Sequence, residues 1–322
     1  MEAPRSRAAR AALVMHFDSP SELEESRTGP SFQGLPLHPG GEDRLIIRLT
    51  FIRCRQRSPK CSNYNGKGYA MSRQTLQGKV ALVTGAGRRV GRAIAIALAE
   101  EGVNIVIHYR YSAEEASKLG RELQDRGMKS WLVKADFEDA AEYETLIARS
   151  LEMAGSLDIL INNASIFPAN TLQDVDVTAL MKNMQVNAWA PFVLSRDFAR
   201  LAGRGQIVNL LDSRINGYDW RHVAYILSKH VLSVLTKMTA LEFAPNIAVN
   251  GVAPGLILPP PGKDHSFLDR MADTVPLKRH GDPSYIADAV IYLLKSDFLT
   301  GEVIRVDGGR HLMEHRDGSH ID

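Results

Sequence analysis

Tyr225 and Lys229 stand four residues apart in the apolar-periodic stretch Tyr225-Ile226-Leu227-Ser228-Lys229. On a helix that spacing puts the phenol and the ammonium on one face. A neighbouring cation favours phenolate, so the phenol pKa is expected to fall from about 10 towards working pH. Such a tyrosine is a usable general acid for a carbonyl or imine that takes up a hydride. A second chemical segment is Thr84-Gly85-Ala86-Gly87-Arg88-Arg89-Val90-Gly91. Its glycines let the chain turn sharply and bring helix N-terminal N–H groups close to a pyrophosphate. Taken singly, the first pattern occurs in ordinary helices and the second in any tight strand-to-helix turn. Their places in the fold decide.

Those places follow from alternating periodicity. Apolar strand-like runs at 79–84, 103–108, 130–135, 157–161 and 206–211 alternate with helical patterns at 92–101, 113–126, 140–153, 176–202 and 223–244. Short late strands are expected at 249–252 and 303–306. Gly102 and Gly127 close two of the helices at C-cap positions. Alternating β and α predicts an α/β, Rossmann-like doubly wound parallel sheet covered by helices. The glycine turn then joins the first strand to the first helix, and Tyr225 and Lys229 fall in the helix after the fifth strand. Dinucleotide binding is the expected use of the turn.

The second strand ends Ile107-His108-Tyr109-Arg110-Tyr111-Ser112, with no acid until Glu114. NAD enzymes usually place an Asp or Glu there for the ribose 2′-hydroxyl. Arg88, His108, Arg110 and Ser112 are instead expected to bind a 2′-phosphate by charge-assisted hydrogen bonds. NADPH is therefore favoured over NADH, with solvated surface residues as the bland reading.

Residues 76–312 resemble the short-chain dehydrogenase/reductase family. The likeness rests on the 84–91 turn, Asp136, Asn162-Asn163-Ala164, Asn187, Tyr225 with Lys229, and Pro254-Gly255. It implies cofactor contacts from Gly85, Arg88, Arg89, Val90, Gly91, Asp136, Asn163, Ala164, Ser165, Tyr225, Lys229, Pro254 and Gly255. It also implies that Asn187 holds a water in a proton relay with Lys229. Two departures resemble one branch, the pteridine and dihydromonapterin reductases. Arg89 stands where the family usually has a small residue, and Asp212 where it usually has Ser. Ser213, one residue on, is the alternative for that role. The branch implies Arg89, Ser165, Phe167, Asp212 and Tyr225 as substrate contacts, with Phe167 stacking on a flat ring. The Asp212 carboxylate can accept from a pterin's amino and N–H donors, or relay a proton to a C=N nitrogen if its pKa is raised. An ionised Asp facing a developing alkoxide would be repulsive, which argues against ketones.

The expected activity is NADPH-dependent reduction of a dihydropterin-like substrate. The alternatives are a carbonyl reductase of a ketoacyl thioester or polyol, and a catalytically silent NADPH sensor. Residues 256–262 and 266–273 fall where family members carry a substrate lid, and the resemblance implies a homotetramer. His280, His311, His315 and His320 lack metal-ligand spacing and read as solvated surface.

Composition bounds the rest. The chain has 322 residues, 44% hydrophobic and 24% charged, with a net charge of +2. That charge gives no reason to expect nucleic-acid binding. No apolar run reaches about 18 residues. Two cysteines, Cys54 and Cys61, fit a reducing, cytoplasmic setting. Residues 1–70 hold both, carry 11 basic against 7 acidic residues, and show no sustained period. They are expected to be a disordered extension, with Met71 the working start and 71–322 one enzyme domain at net −2. Arg5, Arg7 and Arg10 among alanines have some likeness to a transit peptide, but Glu2 and the acids from Glu22 to Glu25 fit that poorly.

Overall fold

Strand β1 (Val80–Val83) is apolar and buried at every position, as a central parallel strand covered on both faces must be. It sits in a computed structural model that describes residues 74–260 and 262–313. The expected extension, the proposed start at Met71 and Pro261 lie outside the described residues.

Seven parallel strands form one sheet in the order β3-β2-β1-β4-β5-β6-β7. They are β1, β2 (Asn104–Tyr109), β3 (Ser130–Lys134), β4 (Ile159–Asn162), β5 (Gly205–Leu210), β6 (Ile247–Pro254) and β7 (Val303–Val306). This is the Rossmann-like doubly wound sheet that the alternating pattern predicts. The strand order reverses between β1 and β4, so a crevice opens there at the strand C-termini.

Alternate strand residues feed opposite layers. Ala81, Val83, Ile105 and Ile107 pack with α1 (Arg89–Glu100), α2 (Ala113–Asp125) and α9 (Pro283–Lys295). Val80, Leu82 and Val106 pack the other way. That layer holds α3 (Ala140–Glu144), α4 (Leu146–Ala154) and α6 (Ala190–Leu201). Each fully buried Leu or Ile contributes about 1.5–3 kcal/mol.

Three elements depart from the periodic reading. The 140–153 pattern is two helices, broken at Thr145, whose Oγ1 donates to the carbonyls of Ala141 and Glu142 at 3.2 Å. The 176–202 pattern is α5 (Val177–Met184), a π-helical turn (Gln185–Trp189) and then α6. Helix α9 has no counterpart in the reading, although Asp282 caps it by accepting from the Ser284 N–H at 2.8 Å and Pro283 opens it. The remaining helices are α7 (Val223–Glu242) and α8 (His265–Met271). Among the described residues no helix is long and apolar enough to cross a membrane.

Candidate active site

The glycine turn after β1 is clamped to β4 by side chains. Thr84 Oγ1 accepts from the N–H groups of Asn163 (2.8 Å) and Ala164 (2.9 Å). The Asn163 amide donates to the carbonyl of Thr84 at 2.8 Å. Gly91 is required here, because a Cβ would meet the Gly85 carbonyl oxygen at 2.3 Å. Helix α1 begins without a side-chain cap and has no acid in its first turn. Its leading N–H groups therefore face the crevice with two arginines beside them, which fits the pyrophosphate of a dinucleotide. Arg89 adopts φ +54°, a left-handed conformation that favours glycine. Its guanidinium crosses to donate to the Pro259 carbonyl at 2.7 Å.

The crevice continues into one cavity of about 1890 Å³. That exceeds the ~300–1,000 Å³ of a typical small-ligand pocket, so a dinucleotide and a second molecule can share it. Gly85, Arg88, Arg89, Val90 and Gly91 line one end. Asp212, Tyr225, Phe167 and Ser165 line the middle, and Pro254 and Gly255 also reach it. Leu256, Ile257, Leu258 and Pro260, with Phe267 and Met271 of α8, line it as well, from the two segments expected to form a lid.

At the β2 end the expected phosphate contacts separate. Ser112 lies on the wall beside Gly87, whose Cβ would come within 3.0 Å of Ser112 Oγ. Arg88 is half exposed and paired with Glu115 at 3.0 Å. Arg110 is held by Asp136 (2.8 Å) and Glu138 (2.7 Å). Ala135 and Phe137 line the cavity on either side of Asp136, whose carboxylate holds Arg110. His108 corrects the sequence reading. Its Nδ1 accepts from the Gly85 N–H and its Nε2 meets the Ala135 carbonyl, each at 3.0 Å. Its ring stacks on Phe137. Burial pushes its pKa down to about 4, with the Ala135 carbonyl opposing. A neutral ring with both nitrogens engaged supports the glycine turn and cannot serve as a phosphate cation.

The reacting end is built on β5 and α7. Tyr225 Oη donates to Asp212 Oδ2 at 3.1 Å. Arg214 grips the same carboxylate, Nε to Oδ1 at 3.0 Å and Nη2 to Oδ2 at 3.1 Å, and its backbone N–H donates to Oδ1 at 2.9 Å. Burial alone would raise the Asp212 carboxyl, but the Arg214 guanidinium outweighs it and holds the pKa below the usual carboxylate range. Asp212 is therefore an ionised acceptor, one of the two roles open to it, and it lacks the raised pKa that the other, a proton relay, needs. Burial pushes the Tyr225 phenol well above 10, and the Asp212 charge adds to this. The expected lowering of that pKa by Lys229 is overturned. The Lys229 ammonium is buried, donates to the Leu210 carbonyl at 2.6 Å, and lies 5.7 Å from the Tyr225 ring centroid.

Asn187 lies in the π-helical turn. Its Oδ1 accepts from the Ile166 N–H at 2.9 Å, and its Nδ2 faces the Ile166 carbonyl, Asn183 Oδ1 and Ser228 Oγ. The side chain thus fixes the loop carrying Ser165 and Phe167. Phe167 stacks on His222 at 3.8 Å and meets Tyr225 edge-on at 4.5 Å. Ser213 is buried off the cavity wall.

Arg214, Asp219 and His222 escape sequence reasoning, because charged residues in an aperiodic loop read as solvated surface. The signal was proximity in sequence to Asp212 and Tyr225. His311 also departs from the reading: its Nδ1 lies 2.7 Å from Asp307 Oδ2. Among the described residues no cluster of three or more His, Cys, Asp or Glu could hold a metal ion.

Comparison with known proteins finds relatives along most of the described chain. A family model described as Enoyl-(Acyl carrier protein) reductase matches residues 85–311. The 3-oxoacyl-[acyl-carrier-protein] reductase FabG of Staphylococcus epidermidis is 33% identical over 242 residues, covering 73% of this chain and 99% of that protein. Among solved structures, FolM alternative dihydrofolate reductase 1 from Brucella canis, complexed with NADP, is 30% identical with a TM-score of 0.69. That match covers 74% of this chain and 96% of the other. A short chain dehydrogenase from Burkholderia cenocepacia in complex with NADP is 31% identical with a TM-score of 0.69, covering 74% and 99%.

Proposed function

The chain belongs to the short-chain dehydrogenase/reductase family, and we propose that within it this protein is an NADPH-dependent reductase of a dihydropterin-like substrate. The observation that carries the reading is the Asp212 carboxylate at the cavity wall, receiving Tyr225 and kept ionised by Arg214. An ionised carboxylate accepts hydrogen bonds and repels a developing alkoxide. A pterin ring offers amino and N–H donors, whereas a ketone offers only acceptors. Resemblance to the FolM alternative dihydrofolate reductase 1 of Brucella canis supports the same class.

Arg88, Arg89, Gly85 and the leading N–H groups of α1 would hold the cofactor phosphates, with Arg88 and Ser112 nearest the 2′-phosphate. Bound NADPH supplies the hydride. The protein's own residues then do the following. Phe167 offers its ring as a stacking surface. Asp212 accepts from the substrate N–H groups and fixes the ring's orientation. Tyr225, whose phenol stays protonated, delivers its proton to the C=N nitrogen as the adjoining carbon is reduced. Lys229 keeps a positive charge beneath the site. Asn187 positions the Phe167 loop.

Assembly belongs to the same reading. Helix α7 exposes Leu227, Val231, Val234, Met238 and Leu241. Their alternating spacing of four and three forms an apolar seam suited to a helix of a second copy. This seam and the family resemblance support a homo-oligomer, and the two cysteines of the chain fit a cytoplasmic setting.

A second reading is reduction of a 3-ketoacyl thioester, which similarity to the FabG reductases favours. The test follows NADPH oxidation by the full chain with dihydrobiopterin, dihydromonapterin, dihydrofolate and acetoacetyl thioester. Turnover of the pterins or dihydrofolate is expected. Turnover of the thioester alone would overturn the reading, and tight NADPH binding without any turnover would leave a sensor.

A further inference from the structure

Six side chains, one from the loop after β4, four from the connection between β5 and α7 and one from α7, close a ring of contacts. Tyr225 donates to Asp212 at 3.1 Å, and Arg214 is bidentate on Asp212. Arg214 Nη1 also donates to Asp219 Oδ2. Asp219 Oδ2 meets His222 Nδ1 at 2.9 Å, and Asp219 Oδ1 accepts from the Arg221 N–H at 2.9 Å. His222 stacks on Phe167, and Phe167 returns to the edge of Tyr225. We propose that Arg214, anchored by Asp219, is a positioning residue that locks Asp212 as a hydrogen-bond acceptor towards the cavity, selecting N–H-bearing heterocycles over ketones. The inference rests on the dihydropterin reading for the substrate it names, but the charge it assigns to Asp212 does not.

Arg214 does not carry the proton. A guanidinium stays charged and its donors are fixed in a plane, so it constrains rather than relays. A planar fork on one carboxylate leaves the carboxylate no rotational freedom. Asp219 matters because it holds the far side of that fork. It too is kept ionised: His222 and Arg214 outweigh its burial and bring its pKa to about 2. Two buried carboxylates then flank one partly buried guanidinium. If Asp212 could take up a proton, its carboxylic acid would donate to a carbonyl oxygen, the task a serine hydroxyl performs. Arg214 removes that option.

The groups facing Asp212 are Arg214 from its own turn, Tyr225 and Lys229 from α7, and Asp219 behind Arg214. Removing the Arg214 charge should raise the pKa of Asp212. The acid limb of the kcat/KM profile should therefore move to higher pH, by about one to three units. The experiment compares wild type, Arg214→Leu and Arg214→Gln, with circular dichroism and NADPH affinity measured on each. Arg214→Gln keeps a donor without the charge, so it serves where Leu leaves the two carboxylates too poorly satisfied to fold. A folded, NADPH-binding variant should show the shifted limb. It should also show at least a tenfold fall in the ratio of dihydropterin to ketoacyl-thioester kcat/KM. An unmoved limb, with both substrates reduced alike, would overturn the inference and leave Arg214 a structural residue. If wild type turns over only the thioester, the dihydropterin reading and the selectivity claim fall together. A shifted limb on the thioester would then still support the lock on Asp212.

Discussion

Lys229 and Tyr225 share one face of α7, yet the ammonium donates to the Leu210 carbonyl at 2.6 Å and lies 5.7 Å from the tyrosine ring centroid. The phenol instead donates to Asp212. Burial brings the Lys229 pKa down to about 8, with the Asp212 charge opposing. A lowered lysine pKa means that charge is lost as pH rises through it. If the ammonium supports catalysis, kcat/KM should fall above about pH 8, because this parameter reports ionisations of the free enzyme. Lys229→Arg keeps the charge at all accessible pH. That variant should lose rate overall and also lose the alkaline limb near pH 8. A limb unchanged in Lys229→Arg would assign it to another group.

Asp212 itself is tested by truncation. Asp212→Ala should cut dihydropterin turnover by about 10²-fold or more, since it removes both the ring's acceptor and the partner of Tyr225. Ser213→Ala should leave turnover within about twofold, because Ser213 is buried off the cavity wall. The reverse pattern would transfer the role to Ser213. Asp212→Ser should move preference towards the ketoacyl thioester, with NADPH affinity retained.

Cofactor choice turns on Arg88. It is half exposed and its partner is a single surface carboxylate, Glu115. Exposed pairs of this kind contribute little, so a 2′-phosphate can take the guanidinium from Glu115. Arg110 is less available, with carboxylates on two of its nitrogens. Arg88→Ala should raise the KM for NADPH by about tenfold to a hundredfold while leaving NADH unchanged. Equal effects on both cofactors would place Arg88 on the shared pyrophosphate instead.

Much of this was readable from the chain and some was not, for identifiable reasons. Buried strands such as Val80–Val83 announce themselves because every position must be apolar. The glycine turn was legible because Gly91 leaves no room for a Cβ. Tyr225, Asp212 and Phe167 do converge on one cavity. Ionisation states were not legible, since they depend on partners brought in by tertiary structure. His108 sits at the end of β2 where a phosphate ligand was expected, but the fold spends both of its nitrogens on Gly85 and Ala135. Arg214 holds the Asp212 pKa down from a loop with no periodic signal. Helix α9 does carry a signal in its sequence. Asp282-Pro283 marks its start, and Ile286, Ala287, Val290, Leu293 and Leu294 recur at helical spacing.

Arg89 joins the phosphate turn to the lid through Pro259, from a backbone that glycine would adopt more easily. A left-handed non-glycine residue costs roughly 1–2 kcal/mol. Glycine would relieve that cost but lose roughly 0.5–1 kcal/mol of chain entropy. Arg89→Gly should therefore leave Tm within a few degrees of wild type. Its effect should fall on substrate KM, raised several-fold as the Pro259 contact is lost. A large drop in Tm with unchanged KM would make Arg89 a structural residue rather than a link between the two ligand regions.

The α7 seam gives the last prediction. Val234 and Met238 are more than half exposed at its centre, flanked by Val231 and Leu241. A two-fold interface brings the same patch of each copy together, so a charge placed there faces its own image. Glutamate at positions 234 and 238 would set at least four negative charges close together in a region meant to be dry, and desolvation adds to their repulsion. Val234→Glu with Met238→Glu should shift sedimentation velocity from the assembled species to a smaller one. The fold of each copy should survive, because neither side chain is part of its core. Higher salt should partly restore assembly by screening the repulsion. An unchanged sedimentation coefficient would place the interface elsewhere, with the β7 edge the next surface to test.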